Sequence, residues 1–329
     1  MGPRIFAKHE IEKAIDIPEL IASIEEGLVL TSQGQVSLAP ISMLGFEKPP
    51  GEVHIKSGHI TGDDQYVIKI ASSFPGNPEL DISSSQGCML LFSAKTGVLE
   101  TILLDEGYLT NLRTAIAGAI CAKHFAPKDI SRIGIVGTGI QAAKQLEILQ
   151  QVTDCRDVIV WGRRQQSLEA FANRPELSPY KIQITQNMSE VCQSCDLIVT
   201  ATSSPTPLIF AKDLRPGVHI TAVGADQPGK QEIAAEAMQR ADQILVDNLK
   251  QCLKYGDLSY AKDRVAMNKV QEIGNALHSY QRGPQAITIA DLTGVAIEDV
   301  QIAKSVASRL IQRESHAECS NHRRSCTVP

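Results

Sequence analysis

The spacing of apolar residues changes character twice along the chain. Through "HEIEKAIDIPELIASIEEGLVL" they recur at helical intervals, with acidic residues on the polar side. Between about residues 35 and 105 the pattern turns to short strand-like runs: "VHIKSGHI", "YVIKIASSF", "CMLLFSA" and "VLETILLD". Turn residues separate them in "TGDD", "FPGNP" and "AKTG". A helix rich in small residues follows, "YLTNLRTAIAGAICAKHF", closed by Pro127.

A second regime begins near residue 130. Strand-like "RIGIVG", "DVIVWG", "CDLIVTAT", "GVHITAVG" and "QILVDN" alternate with helix-like segments such as "IQAAKQLEILQQV" and "QQSLEAFAN". That alternation predicts an α/β fold, a Rossmann-type doubly wound parallel sheet over residues 126–289. After "ITIADLTG" the amphipathic run "AIEDVQIAKSVASRLIQ" predicts one long helix. Residues 1–125 and 290–315 are then expected to form a split α+β domain. Residues 316–329 show no periodicity and are expected to be a disordered tail.

The run "IGIVGTGIQAAKQL" supplies the first chemistry. Gly137, Gly139 and Ala142 fit G-x-G-x-x-A between a predicted strand and a predicted helix. In that context the first glycine permits a tight turn and the second lets a pyrophosphate approach the backbone. The small third residue lets helix and strand pack closely, and the helix N-terminus offers free N–H groups to phosphate. Candidate cofactor contacts are Gly137, Thr138, Gly139, Ile140 and Gln141 in the turn. Thr202, Val223 and Thr293 follow later strands and join them, because strand C-terminal ends line the crevice of such a sheet. The second strand ends in Gly162, Arg163 and Arg164. A carboxylate at that tip would bind a ribose 2′-hydroxyl, whereas arginine can grip a 2′-phosphate, so NADP(H) is favoured over NAD(H).

Several cations stand in apolar settings. Lys69 interrupts the strand "YVIKIASS", and alternation puts it on one face with Val67 and Ala71. His54 and Lys56 are two apart and share a face of their own strand. Arg113 has small, apolar helical neighbours. Each has a structural explanation as an edge or surface charge; together they describe a pocket for a carboxylate. Asp226 follows a strand, where it could bind an ammonium group, act as acid or base, or simply cap the turn before Pro228.

Composition narrows the partners. A net charge of −5 and an aromatic content of 4% argue against nucleic-acid binding, which needs a basic surface and stacking platforms. No apolar run approaches the roughly 20 residues of a membrane span, and residues 1–10 carry no signal-peptide core, so a cytoplasmic location is expected. Cys192 and Cys195 form a C-x-x-C, but no second pair or histidine couple completes a metal site. They are expected to be structural, and no metal is expected.

In this order, "FPGNP", "LLDEGYLTNLRTAIAGAICAKHFAP", "IGIVGTGIQA", "DLIVTATSS", "LRPGVHITAVGAD" and "DLTGVAIEDVQIA" make the chain resemble the ornithine cyclodeaminase/μ-crystallin family over nearly its whole length. The resemblance implies a central Rossmann domain, a split domain that contacts substrate, and a homodimer. It implies Lys69 and Arg113 as substrate-carboxylate residues. Asp226 matches an aspartate that is catalytic in cyclodeaminases and lost in μ-crystallin-like ketimine reductases. Two positions depart from the pattern: Ser42 stands where many members have a carboxylate-binding arginine, and "VHIK" replaces a strand that carries glutamate in cyclodeaminases. His54 or Lys56 takes that place, and Lys56 is the candidate for the missing positive charge.

The expected activity is an NAD(P)H-dependent imino-acid reductase or amino-acid dehydrogenase, cyclic ketimines such as pyrroline- or piperideine-2-carboxylate among its candidate substrates. The alternatives are an ornithine- or lysine-type cyclodeaminase, an NAD+-dependent ammonia lyase, and a non-enzymatic NADP-binding crystallin-like protein.

Overall fold

A computed structural model of the chain describes residues 2–325. It divides into two units. The first combines Met1–Ile24, Gln35–Thr110 and the chain from Ala296 onward; the second combines Glu25–Gly34 and Asn111–Val295.

The first unit is built on a seven-stranded sheet: β1 (Arg4–Ala7), β2 (Val36–Leu38), β3 (Ser42–Glu47), β4 (Pro50–Ile60), β5 (Gln65–Ser73), β6 (Ser85–Ser93) and β7 (Leu99–Leu104). The order is β1-β7-β6-β5-β4-β2, with β3 also on β4. All pairings are antiparallel except β1 with β7. Alternation decides which side is covered: Val67, Met89, Leu91 and Leu103 are fully buried, while their strand neighbours are half-exposed. The covering element is the helix Ala296–Ser325, which packs on β4 and β5. Gly58 allows close approach, since a Cβ there would already touch Val300 and Ala296 at 3.3 and 3.4 Å.

The second unit carries eight strands, all parallel: β8 (Ile133–Val136), β9 (Asp157–Trp161), β10 (Lys181–Thr185), β11 (Leu197–Thr200), β12 (His219–Ala222), β13 (Gln243–Val246), β14 (Val270–Glu272) and β15 (Thr288–Asp291). Their order is β10-β9-β8-β11-β12-β15-β13-β14. The central strands β8, β11, β12 and β15 are buried at every position, so they read as continuous apolar runs rather than as alternation. The chain reverses direction across the sheet between β8 and β11, which opens a crevice at their C-terminal ends.

Four details differ from the sequence reading. The expected N-terminal helix is two, Lys8–Lys13 and Ile17–Ser32, because Asp16 accepts the Glu19 N–H at 3.1 Å and restarts the helix at Ile17, with Pro18 in its first turn. Residues 111–125 belong to the second unit: Gly118 lets Gln145 approach, and Gln145 Nε2 donates to the Thr114 carbonyl at 3.0 Å. Residues 290–295 also go with that unit, as the end of β15 and its loop. Finally, the last helix runs to Ser325 instead of ending near 315; no glycine or proline interrupts that stretch. The final residues 326–329 of the expected tail lie outside the described residues.

No helix among the described residues is long and apolar enough to cross a membrane. Cys192 and Cys195 are buried in the second unit's core, and burial pushes both thiols up to about 12, so neither is a thiolate at neutral pH.

Candidate active site

In the second unit the turn after β8 has the geometry the glycine spacing anticipates. Gly137 has φ +124°, and a Cβ there would lie 2.6 Å from the Ala201 carbonyl oxygen. No larger residue fits. Gly139 is the N-cap of the helix Ile140–Leu149, and the space beside it is open. Ala142 is fully buried where helix meets sheet. A cleft of about 210 Å³ opens here, lined by Gly137, Thr138 and Gly139 on one side and by Thr202, Ser203 and Leu208 on the other. Exposed N–H groups at a helix start, open space over Gly139 and a glycine forced by a neighbouring carbonyl fit a dinucleotide pyrophosphate. Ile140 is exposed beside the turn, and Gln141 is directed to the Asn111 carbonyl at 3.3 Å.

The two arginines after β9 diverge. Arg163 lines the cleft with Trp161 and Gly162, and its carbonyl accepts from Gln186 at 2.8 Å. Arg164 is the N-cap position of the helix Gln165–Ala172, exposed and away from the lining. No lining residue of the cleft is acidic, and Arg163 is the charged residue of the lining.

Behind the far wall lies a residue that sequence reasoning missed. Glu232 is fully buried; its Oε1 accepts from the Thr202 N–H and hydroxyl at 2.6 and 2.7 Å. Its Oε2 accepts from the Thr200 hydroxyl at 2.6 Å and the Gly224 N–H at 2.8 Å. Burial raises the carboxyl pKa, and these four donors oppose the rise. Val223, beside Gly224, is buried and donates to the Thr200 carbonyl at 3.0 Å. Asp226 lies on the same loop and is half-exposed. Its Oδ1 accepts from Lys230 Nζ at 2.9 Å, a partner the sequence reading did not anticipate.

After β15, Thr293 donates through its N–H and hydroxyl to Asp247 at 2.7 and 3.0 Å, and its hydroxyl accepts from Gln251 at 2.9 Å. Its side chain therefore shapes the loop. Arg113, also in this unit and buried, lies against that loop: a Cβ on Gly294 would be 2.6 Å from its guanidinium.

The first unit holds the other candidates on one sheet face. Lys56 and Lys69 are directly opposed across β4 and β5, both buried, and His54 is two residues along. Lys69 Nζ lies 3.2 Å from Asp299 Oδ2, with both side chains almost wholly out of water. Asp105, buried nearby, accepts the Leu109 N–H at 2.7 Å; burial raises its pKa and the charge of Lys69 counters that. His54 Nε2 lies 3.7 Å from Glu52 Oε1, an ion-pair distance when the ring is protonated. Two buried ammonium groups thus share one face of the sheet, and Lys69 is paired there with an acid of the covering helix.

Residues 2–314 match the ornithine cyclodeaminase/mu-crystallin family. An uncharacterized cyclodeaminase of Sinorhizobium fredii is 34% identical over 287 residues, covering 85% of this chain and 87% of that one. The alanine dehydrogenase of Archaeoglobus fulgidus is 33% identical over 320 residues, covering 95% and 97%. Among solved structures, an archaeal alanine dehydrogenase dimer with bound NAD superposes with a TM-score of 0.85 at 32% identity, covering 95% of this chain and 98% of that one.

Proposed function

The chain belongs to the ornithine cyclodeaminase/μ-crystallin family, and we propose that it is an NAD(P)H-dependent oxidoreductase of C–N bonds. It reduces an imino acid, cyclic ketimines included, or runs the reverse amino-acid dehydrogenation. The observation that carries this reading is the glycine-walled cleft at the β8–β11 crevice, in a chain that also buries Lys69 beside Asp299.

When bound, the nicotinamide supplies the hydride or accepts it. The protein's own groups do the rest. Lys69, ion-paired with Asp299, is the candidate partner of the substrate carboxylate in the first unit, and Arg113 is the candidate in the second; a cation on the carboxylate draws electron density from the adjacent C=N carbon. Asp226, held at one oxygen by Lys230, exchanges a proton with the substrate nitrogen through the other. Exclusion of water around Lys69 strengthens its attraction for an anion that reaches it.

Arg163 at the cleft supports NADP(H) over NAD(H), although the solved relative carries NAD. A homodimer is supported by the dimeric relative and by apolar side chains left exposed on the first unit, Leu44 and Phe46 on β3 among them. The retained Asp226 favours a second reading, a cyclodeaminase. The two differ in stoichiometry. With NADPH or NADH and a panel of pyruvate plus ammonia, pyrroline-2-carboxylate and piperideine-2-carboxylate, a reductase consumes one cofactor per product. Ammonia released from ornithine or lysine without net cofactor change would instead establish the lyase, and silence in both assays would leave only a binding protein.

A further inference from the structure

Glu232 is a buried carboxylate whose four partners are all neutral. Of the residues it joins, Thr200 ends β11 and Thr202 lies just beyond it, while Gly224 follows β12. Gly224 has no room for a side chain, because Thr202 and Glu232 crowd its Cβ position. The backbone of Glu232 is fixed as firmly. Its carbonyl accepts from Leu208 and Ile209 at 2.7 and 3.1 Å, and Gln231 N–H donates to the Ser204 carbonyl at 2.7 Å. The Glu232 N–H and that of Ile233 donate to Asp257 Oδ1 at 2.8 and 3.0 Å. Asp257 and Leu258 in turn donate their N–H groups to the buried Asp291 at 3.1 and 2.9 Å.

Thr202, Ser204 and Leu208 all line the cleft, and Asp226 and Lys230 stand on the loop that leads to Glu232. A single side chain thus joins the far wall of the cleft to the loop that carries the acid–base candidate. We propose that Glu232 is a positioning residue for dinucleotide binding: it sets the wall formed by residues 202–208 and anchors the Asp226 loop to it. The inference rests on the dinucleotide reading above.

Its chemistry explains why glutamate is needed. Each carboxylate oxygen accepts two donors, one of them a backbone N–H that cannot turn away. An amide in its place must aim its NH2 at either Thr202 or Gly224, whichever way it is flipped, and one backbone donor loses its acceptor. The wall then moves to relieve that conflict.

The test is calorimetric titration of the full-length protein with NADPH and NADH, comparing wild type, Glu232→Gln and the milder Thr200→Val. Glu232→Gln is expected to raise the Kd by roughly tenfold or more, and Thr200→Val by roughly threefold. The KM for the dinucleotide should rise in step, with kcat at saturating cofactor changing less. If Glu232→Gln does not fold, Thr200→Val carries the test. Lowered melting temperatures with unchanged Kd in the folded variants would overturn the proposal and leave Glu232 a purely structural acid. A wild type that binds neither dinucleotide would overturn the functional reading, and this inference with it.

Discussion

The two units bury charge in opposite ways. In the first, Lys69 faces Asp299, and charge is met by charge. In the second, Glu232 is met by two hydroxyls and two backbone N–H groups, and no ion partner is among the four. A buried ion pair depends on both members: removing one strands the other in a medium that cannot solvate it, at about 3–5 kcal/mol. A carboxylate held by fixed dipoles instead reports on backbone geometry, since its donors are the loops themselves. The first arrangement can present a cation to an anionic substrate; the second can hold two loops in register.

Substitution of Lys69 should break the comparison most sharply. Lys69→Met is expected to lower kcat/KM on the best imino acid by roughly a hundredfold or more and to lower the melting temperature, because it breaks a buried ion pair with Asp299. Adding Asp299→Asn should recover part of the stability and none of the turnover. Recovery of both would assign Lys69 to folding alone. A smaller effect is expected at the cleft rim. Arg163→Ala should weaken NADPH binding roughly tenfold, the worth of a charge-assisted contact to a phosphate, and leave NADH binding nearly unchanged. Equal effects on both dinucleotides would remove the 2′-phosphate role.

The difference between the units also governs what a sequence can reveal. Lys69 stands out because a lysine in an apolar strand violates alternation, and Gly137 because its spacing matches a turn that only glycine can make. Asp299 is paired with Lys69 only through the packing of a helix at the far end of the chain, so nothing local to either residue marks the pair. Glu232 is hidden for another reason. Three of its four hydrogen bonds involve residues 200–202, brought beside it by parallel strand pairing, and half of its donors are main-chain groups that carry no residue identity. The arginine pair shows a finer limit: adjacent in sequence, Arg163 reaches the cleft while Arg164 becomes a helix N-cap. The lysine on β4 was legible as a candidate through its spacing from His54, but its direct opposition to Lys69 follows from the register of β4 on β5.

In the proposed reaction hydride passes, with net change of the cofactor, between the nicotinamide and the carbon that bears the substrate nitrogen. This transfer is tested most directly with NADPH and NADH carrying deuterium on the transferring face of the nicotinamide ring, incubated with the best imino acid and followed by mass spectrometry of the product. One deuterium per product molecule is expected, on the carbon between the nitrogen and the carboxylate, with one equivalent of cofactor oxidised. An amino-acid product free of deuterium would contradict hydride transfer itself; ammonia formed from a diamino acid with the cofactor unchanged at the end would contradict net reduction and establish the lyase.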